Sequence, residues 1–320
     1  MAGIFDSDNR LFTLARIGGR PPHAIVAVVV VFAIVVFGLI PGQILGRLVL
    51  FARDGTARFP SDVQPVVEPI VLNVTMFATM LAGMWLWLRF ASKRPFWTLG
   101  WEPRGELTNI LRGAGTAIAM VAVVCGLSVT AGFSSSPGLL QKFGLAALAI
   151  RFASLLSYFV QGPAEETLFR GWLMPVIGAR YRPWIGVIAS SMVFSLAHAL
   201  NRGVTLLAFV NLFLFGLCAA FLALREGGLW QAGAWHGAWN WAMGDLFGFT
   251  LDGSPHTGMF RSMAAHGRDI VTGGTFGPDA GLPCTGVLVI AIIILLRGHR
   301  SLAAVANESP APSPQSPAPS

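Results

Sequence analysis

The chain has 320 residues, of which 54% are hydrophobic and only 12% are charged. A soluble domain typically carries about 25% charged residues, so this composition argues against a water-soluble enzyme and against a mostly disordered chain. The net charge of +7 does not indicate a nucleic-acid-binding protein. The basic residues are dispersed between apolar blocks, as is typical of loops that flank membrane helices.

Apolar stretches recur along the chain. A helix of about 20 mostly apolar residues crosses the hydrocarbon core of a membrane. The sequence therefore predicts eight spans, at residues 24–50, 67–90, 110–132, 145–162, 184–201, 204–224, 229–249 and 283–297. A break or kink is expected at Gly162-Pro163, followed by a polar helical stretch from Ala164 to Ile177. Since only residues 201–203 separate the fifth and sixth spans, we expect a tight antiparallel hairpin there. The predicted fold class is all-α, a polytopic membrane bundle of about eight transmembrane helices.

The composition divides the chain into three parts. Residues 1–23 form an N-terminal segment, and residues 24–300 form the membrane-embedded helical domain, with a motif-bearing core at 150–297. Residues 301–320 are rich in Pro and Ser and predict a disordered tail. With eight alternating spans, Lys and Arg are in excess on the side of the two termini. This excess predicts a multi-pass protein of the cell membrane with both termini in the cytoplasm.

Three groups of polar residues interrupt the apolar spans. The first is Glu165, Glu166 and Arg170; the second is His198, four residues after Phe194; the third is His236 and Asn240. A charged side chain at the bilayer centre costs about 2.5–3.5 kcal/mol or more. Such residues must therefore pair with one another or face water.

Helical spacing indicates which of these side chains meet. Glu166 and Arg170 stand four residues apart on one face, which suits an ion pair, whereas Glu165 is rotated by about 100°. His236 and Asn240 also share one face. We expect Glu165, His198, His236 and Asn240 to surround a water-filled pocket.

This set of residues suits hydrolysis. Glu165, helped by His198, can take a proton from water, and His236 and Asn240 can donate hydrogen bonds to the oxyanion of a tetrahedral intermediate. In an alternative, Glu165, His198 and His236 ligate a Zn²⁺ ion that activates the water. No HExxH motif is present, so a metal needs ligands from separate helices. In a third interpretation the same residues only stabilise helix packing.

The three groups, in this order, resemble the motifs EExxxR, FxxxH and HxxxN of the CPBP family, which contains CAAX prenyl proteases and bacterial proteins linked to bacteriocin processing or immunity. The resemblance covers roughly residues 150–297. It includes a glycine-rich segment, residues 273–279, in which Asp279 stands in place of Glu.

The resemblance implies an intramembrane endopeptidase acting on membrane-associated proteins or peptides, including prenylated CAAX-type substrates. By position, Glu165 and His198 would activate water, His236 and Asn240 would form the oxyanion site, and Glu166 and Arg170 would support them. Since the family is described both as glutamate-dependent and as metalloprotease, the zinc alternative stays open.

Two other functions stay open at this point. One is a non-catalytic scaffold or bacteriocin-immunity protein that binds a partner through the same pocket. The other is a proton-coupled transporter, because intramembrane Glu and His also form proton relays. Outside the three groups, Asp245 is expected to face water at a helix end, Asn73 and Asn211 to pack between helices, and His256 and His266 to lie exposed in loops.

Overall fold

The computed structural model describes residues 4–54, 64–103, 105–130 and 132–308, which are predominantly helical. The α-helices are α1 (Arg10–Ala15), α2 (Ala24–Asp54), α3 (Gln64–Leu86), α4 (Glu106–Val129), α5 (Leu139–Phe143), α6 (Ala146–Glu166), α7 (Met174–Arg180), α8 (Pro183–Ala197), α9 (Leu206–Glu226), α10 (Trp230–Trp241), α11 (Asp269–Thr272) and α12 (Leu282–Glu308). Three π-helical turns, Trp87–Ser92, Thr167–Leu173 and Ala242–Leu246, extend α3, α6 and α10. This architecture confirms the predicted helical membrane bundle.

Four helical segments of the described chain are long and apolar enough to cross a membrane: Ala24–Arg53, Gln64–Ser92, Glu106–Val129 and Leu206–Glu226. Two shorter apolar helices, Pro183–Ala197 and Leu282–Arg297, accompany them. The count of eight crossings, the orientation of the termini and the three-part division of the chain stay predictions.

The expected break at Gly162-Pro163 is absent, since α6 continues through Pro163 to Glu166. The Thr167 hydroxyl donates a hydrogen bond to the Pro163 carbonyl at 2.6 Å. That bond engages the carbonyl of Pro163 itself, whereas the missing proline N–H leaves the Phe159 carbonyl without its helical donor. Membrane helices tolerate such a loss where neighbouring helices pack around the proline. Gly162 also lies so close to α10 that a Cβ atom there would be 2.4 Å from the Gly237 nitrogen. This packing accounts for the continuity of α6.

Three other details differ from the prediction. The connection between α8 and α9 comprises residues 198–205, so it is longer than the three-residue turn expected. The last helix continues to Glu308, into the segment predicted as a tail, whose remaining residues 309–320 lie outside the described ranges. An antiparallel pair of strands, β1 (Phe133–Pro137) and β2 (Arg261–Ala265), was not predicted.

Local signals fix the ends of the helices that carry the polar groups. Pro183 occupies the first turn of α8, where proline is well tolerated. Helix α9 ends at Gly227, which adopts a left-handed conformation with φ of 68°. The Glu226 carboxylate accepts hydrogen bonds from the backbone N–H groups of Trp230 and Gln231, and it thereby caps the start of α10.

Candidate active site

A buried ion pair forms the base of the site. Glu166 and Arg170 are fully buried, and Arg170 Nη1 lies 3.0 Å from Glu166 Oε1. The Arg170 guanidinium also lies 4.5 Å from the centre of the Phe194 ring, a cation–π contact with α8. The i, i+4 pair predicted from the sequence is therefore present. Arg170 lies in a π-helical turn, an element that often marks functional sites.

Both adjacent carboxylates approach His236 from α6. His236 Nδ1 lies 2.8 Å from Glu166 Oε1, and His236 Nε2 lies 3.9 Å from Glu165 Oε2. The Gln161 amide donates to Glu165 at 3.4 Å. Because Glu166 Oε1 already accepts a hydrogen bond from Arg170 Nη1, the hydrogen of the short contact lies on His236 Nδ1. Nε2 of His236 therefore faces Glu165.

His198 follows directly after α8, and its tautomer is set by its own helix. Its Nδ1 lies 2.9 Å from the Phe194 carbonyl oxygen. A carbonyl only accepts, so Nδ1 donates, and Nε2 of a neutral His198 keeps its lone pair. The Phe194 ring contacts both imidazoles, with centroid distances of 4.7 Å to His198 and 5.9 Å to His236. Phe194 thus packs against both histidines.

His198, His236 and Asn240 line one cavity of about 20 Å³. A volume of this size accommodates about one water molecule, provided that polar groups surround it. Asn240 lies one helical turn after His236 on α10 and is buried. Three side chains of the predicted set thus border one cavity, whereas Glu165 is not among its lining residues and contacts the set through His236. Their catalytic roles stay predictions.

Three further polar residues line this cavity: Asn211, Asp252 and Asp279. The Asn211 amide donates to the carbonyl oxygens of Asp279 and Gly281, at 2.7 and 3.0 Å. It therefore joins α9 to the glycine-rich segment, as expected of a packing residue, but it also borders the cavity. Asn73 likewise bonds to Ser157 on α6, at 2.7 Å.

The two acidic residues were not predicted as part of the site. Asp279 accepts a hydrogen bond from Trp239 Nε1 at 3.0 Å, and burial together with the nearby Asp252 raises its pKa to about 7. Asp252 and Gly253 have φ of 50° and 80° and form the two-residue turn between Leu251 and Ser254, for which Asp-Gly is a preferred sequence. The turn is a local signal, but its place beside the cavity depends on tertiary packing, which sequence spacing does not predict. For Asp279 the signal was its place in the glycine-rich segment.

The expectation that Asp245 faces water is wrong. Asp245 is buried, its Oδ1 lies 2.7 Å from Arg151 Nη1, and its carboxylate also accepts a hydrogen bond from Ser154. His256 lies 3.2 Å from the same carboxylate, so it is not a fully exposed loop residue. Since buried charges require partners, the arginine on α6 holds Asp245 inside the bundle. His266 lies outside this cluster and contacts the Ser134 hydroxyl.

The donor geometry does not fit the zinc alternative. Among the residues that the structure describes, no three His, Cys, Asp or Glu side chains are grouped as a metal-binding set. In particular, Glu165, His198 and His236 do not converge on one point as zinc ligands do. The metalloprotease prediction is therefore unsupported.

Comparisons with known proteins agree with the resemblance of the motifs. Residues 147–242 match the family model described as "Type II CAAX prenyl endopeptidase Rce1-like". Over 132 residues the chain is 30% identical to a protein of Escherichia coli described as "Uncharacterized 24.3 kDa protein". This alignment covers 39% of the chain and 59% of the length of the relative.

Proposed function

We propose that this protein hydrolyses peptide bonds of membrane-associated substrates through Glu165, His198, His236 and Asn240. The match of residues 147–242 to the Rce1-like model of CAAX prenyl endopeptidases supports this proposal. One observation carries the proposal. His236 contacts Glu166, faces Glu165, and borders the same water-sized cavity as His198 and Asn240.

His198 and Glu165 serve as the proton acceptors. The bond from His198 Nδ1 to the Phe194 carbonyl leaves Nε2 as an acceptor at the cavity. A water molecule in the cavity can donate to this nitrogen and lose its proton as it attacks. Glu165, whose carboxylate lies 3.9 Å from His236 Nε2, is the second acceptor for this proton. Both residues therefore act in the same step, the deprotonation of the attacking water.

His236 and Asn240 stabilise the oxyanion. In the imidazolium form of His236, Nε2 carries a hydrogen as Nδ1 does. This N–H and the Asn240 amide, one helical turn apart, can donate to the oxygen of a tetrahedral intermediate. Glu166 and Arg170 position His236 through the short Nδ1 contact.

The reaction balances with water as the sole co-reactant. The water oxygen bonds to the carbonyl carbon of the scissile peptide while its proton passes to His198 or Glu165. The C–N bond then breaks, and the same proton moves to the departing nitrogen. The products are a carboxylic acid and a free amine. The family model that residues 147–242 match points to prenylated CAAX-type proteins as the first substrate class to test.

The experiment uses the purified full chain in detergent and a farnesylated fluorogenic CAAX-type peptide. We expect the wild type to cleave it. Glu165→Gln and His198→Ala should each lower turnover by about 10²–10⁴-fold, the usual contribution of a general base. Liquid chromatography with mass spectrometry identifies the new amine and acid termini.

Glu68→Gln is the matched control, since Glu68 forms a partly exposed pair with Arg47 at 3.8 Å and does not line the cavity. Its turnover should equal that of the wild type. Full cleavage by a folded Glu165→Gln variant would refute the assigned role. If the function in cells also survived both site substitutions, a binding scaffold would be the better description.

A further inference from the structure

A second, larger cavity lies apart from the candidate active site. It is an apolar groove of about 780 Å³ between α4, α9, α10 and α12. Residues of α4 that line it recur every three or four positions, so they share one face of that helix. They are Asn109, Arg112, Thr116, Ala119, Met120 and Val123.

At one end of this groove, polar side chains from three helices line the wall near the helix ends. Arg112 lies near the start of α4, Arg225 near the end of α9, and Gln231 at the start of α10. The Arg225 guanidinium donates to the Leu295 carbonyl of α12 at 3.1 Å. Both arginines are solvent-exposed, so this end of the groove is basic.

The acidic residue at this end, Glu226, forms no ion pair with either arginine in the part of the chain that the structure describes. The carboxylate of Glu226 accepts hydrogen bonds from the Asn109 amide and from two backbone N–H groups of α10. Within the described ranges, the Arg112 guanidinium has no hydrogen-bond or ion-pair partner among the side chains. Arg112 therefore keeps its charge available for an anion.

The remainder of the groove is apolar and has the depth of one lipid leaflet. From Arg112 to Val123 is 11 residues of α4, or about 16 Å along the helix axis at 1.5 Å per residue. The hydrocarbon core of a bilayer is about 30 Å thick, so the groove is about half as long as this core is thick. Val287, Ile290 and Ile294 of α12 line the opposite wall.

We propose that this groove binds an anionic phospholipid, with its phosphate at Arg112 and Arg225 and an acyl chain between α4 and α12. Charge complementarity selects the headgroup, because Lys and Arg near the membrane surface attract anionic lipids. The length of the apolar part matches that of an acyl chain within one leaflet. The site does not depend on peptidase activity, since its residues are separate from those of the small cavity.

Binding is measured on the purified full chain, delipidated in a neutral detergent, from the thermal unfolding temperature as lipid is added. Phosphatidylglycerol should raise the unfolding temperature of the wild type more than phosphatidylcholine does, and inorganic phosphate should have no effect. Arg112→Gln should weaken the apparent affinity for phosphatidylglycerol by about fivefold, the contribution of one basic residue.

Arg89→Gln is the matched control, because Arg89 is also an exposed arginine but lies outside the groove. It should keep the wild-type affinity. Ala119→Trp, which fills the groove, should abolish the stabilisation by phosphatidylglycerol. Equal effects of the two lipids on the wild type would overturn the proposal, as would equal losses in Arg112→Gln and Arg89→Gln. Stabilisation by inorganic phosphate alone would assign the arginines to a simple anion site.

Discussion

The two adjacent carboxylates at Glu165 and Glu166 have different partners because successive helical residues point about 100° apart. Glu166 faces Arg170 one turn later and contacts His236 at 2.8 Å. The Glu165 carboxylate lies 3.9 Å from His236 Nε2 and forms no hydrogen bond with Arg170 in the described structure. Spacing alone predicted this division of partners. It did not predict that both carboxylates meet the same imidazole, since that contact depends on how α6 and α10 pack.

The raised pKa of Asp279 predicts how the stability of the protein depends on pH. Burial raises its pKa in the folded protein from an ordinary value of 3.8 to about 7. Between these values the folded protein holds a proton that the unfolded chain releases, so the free energy of unfolding falls as the pH rises. The stabilisation is complete below about pH 4 and lost once the pH has passed through about 7. Asp279→Asn should flatten this dependence, measured as unfolding temperature against pH.

Asparagine keeps an oxygen that accepts the hydrogen bond from Trp239, so this variant should fold. Asp269→Asn is the control, because Asp269 is exposed on the nearby α11. Its pH dependence should follow that of the wild type. An Asp279→Asn profile as steep as that of the wild type would contradict the raised pKa.

The candidate active site depends on the close approach of helices α6 and α10. A Cβ atom at Gly237 would lie 2.6 Å from the Tyr158 carbonyl oxygen, and one at Gly162 would lie 2.4 Å from the Gly237 nitrogen. Small residues allow membrane helices to approach in this way. Since Gly237 directly follows His236, this contact determines the distance between His236 and the two carboxylates.

Gly237→Ala should therefore destabilise the protein by about 1–3 kcal/mol, the usual cost of overpacking, and should also lower peptidase turnover. Thermal unfolding and the peptide assay measure the two effects. The control is Gly115→Ala on α4, because a Cβ atom there meets nothing within 4 Å. It should be neutral or stabilising, by up to about 1 kcal/mol. A Gly237→Ala variant with wild-type stability and turnover would show that the helices do not need this contact.

Apolar length predicted the long helices well, since α2, α3, α4 and α9 each begin and end within a few residues of an expected span. It failed where tertiary contacts decide. The partner of Asp245 is Arg151, 94 positions earlier in the chain, and no local pattern links them. The pairing of β1 with β2 joins segments more than 100 residues apart. In the candidate site, the motif residues were predicted, whereas the place of Asp252 at the cavity depends on how its turn packs against the bundle.

Helix α4 is long enough to connect the two sides of a membrane. Its 24 residues span about 36 Å, which exceeds the hydrocarbon thickness of about 30 Å. Arg10 pairs with Glu102, so the N-terminal segment lies near the start of α4. The strand β1 begins four residues after its end. The N-terminal segment and the β1–β2 pair should therefore lie on opposite sides of the membrane.

This arrangement is testable with single cysteines at two exposed serines, Ser7→Cys and Ser136→Cys. A membrane-impermeant maleimide should label Ser136→Cys in right-side-out vesicles and Ser7→Cys in inverted ones, because the excess of Lys and Arg favours a cytoplasmic N-terminus. The native cysteines are buried, so the wild type should show little labelling and serves as the control. Labelling of both positions from one face would mean that α4 does not cross the membrane. Labelling of each from the opposite face to that expected would keep the crossing and reverse the orientation, and the basic end of the lipid groove would then face the outer leaflet.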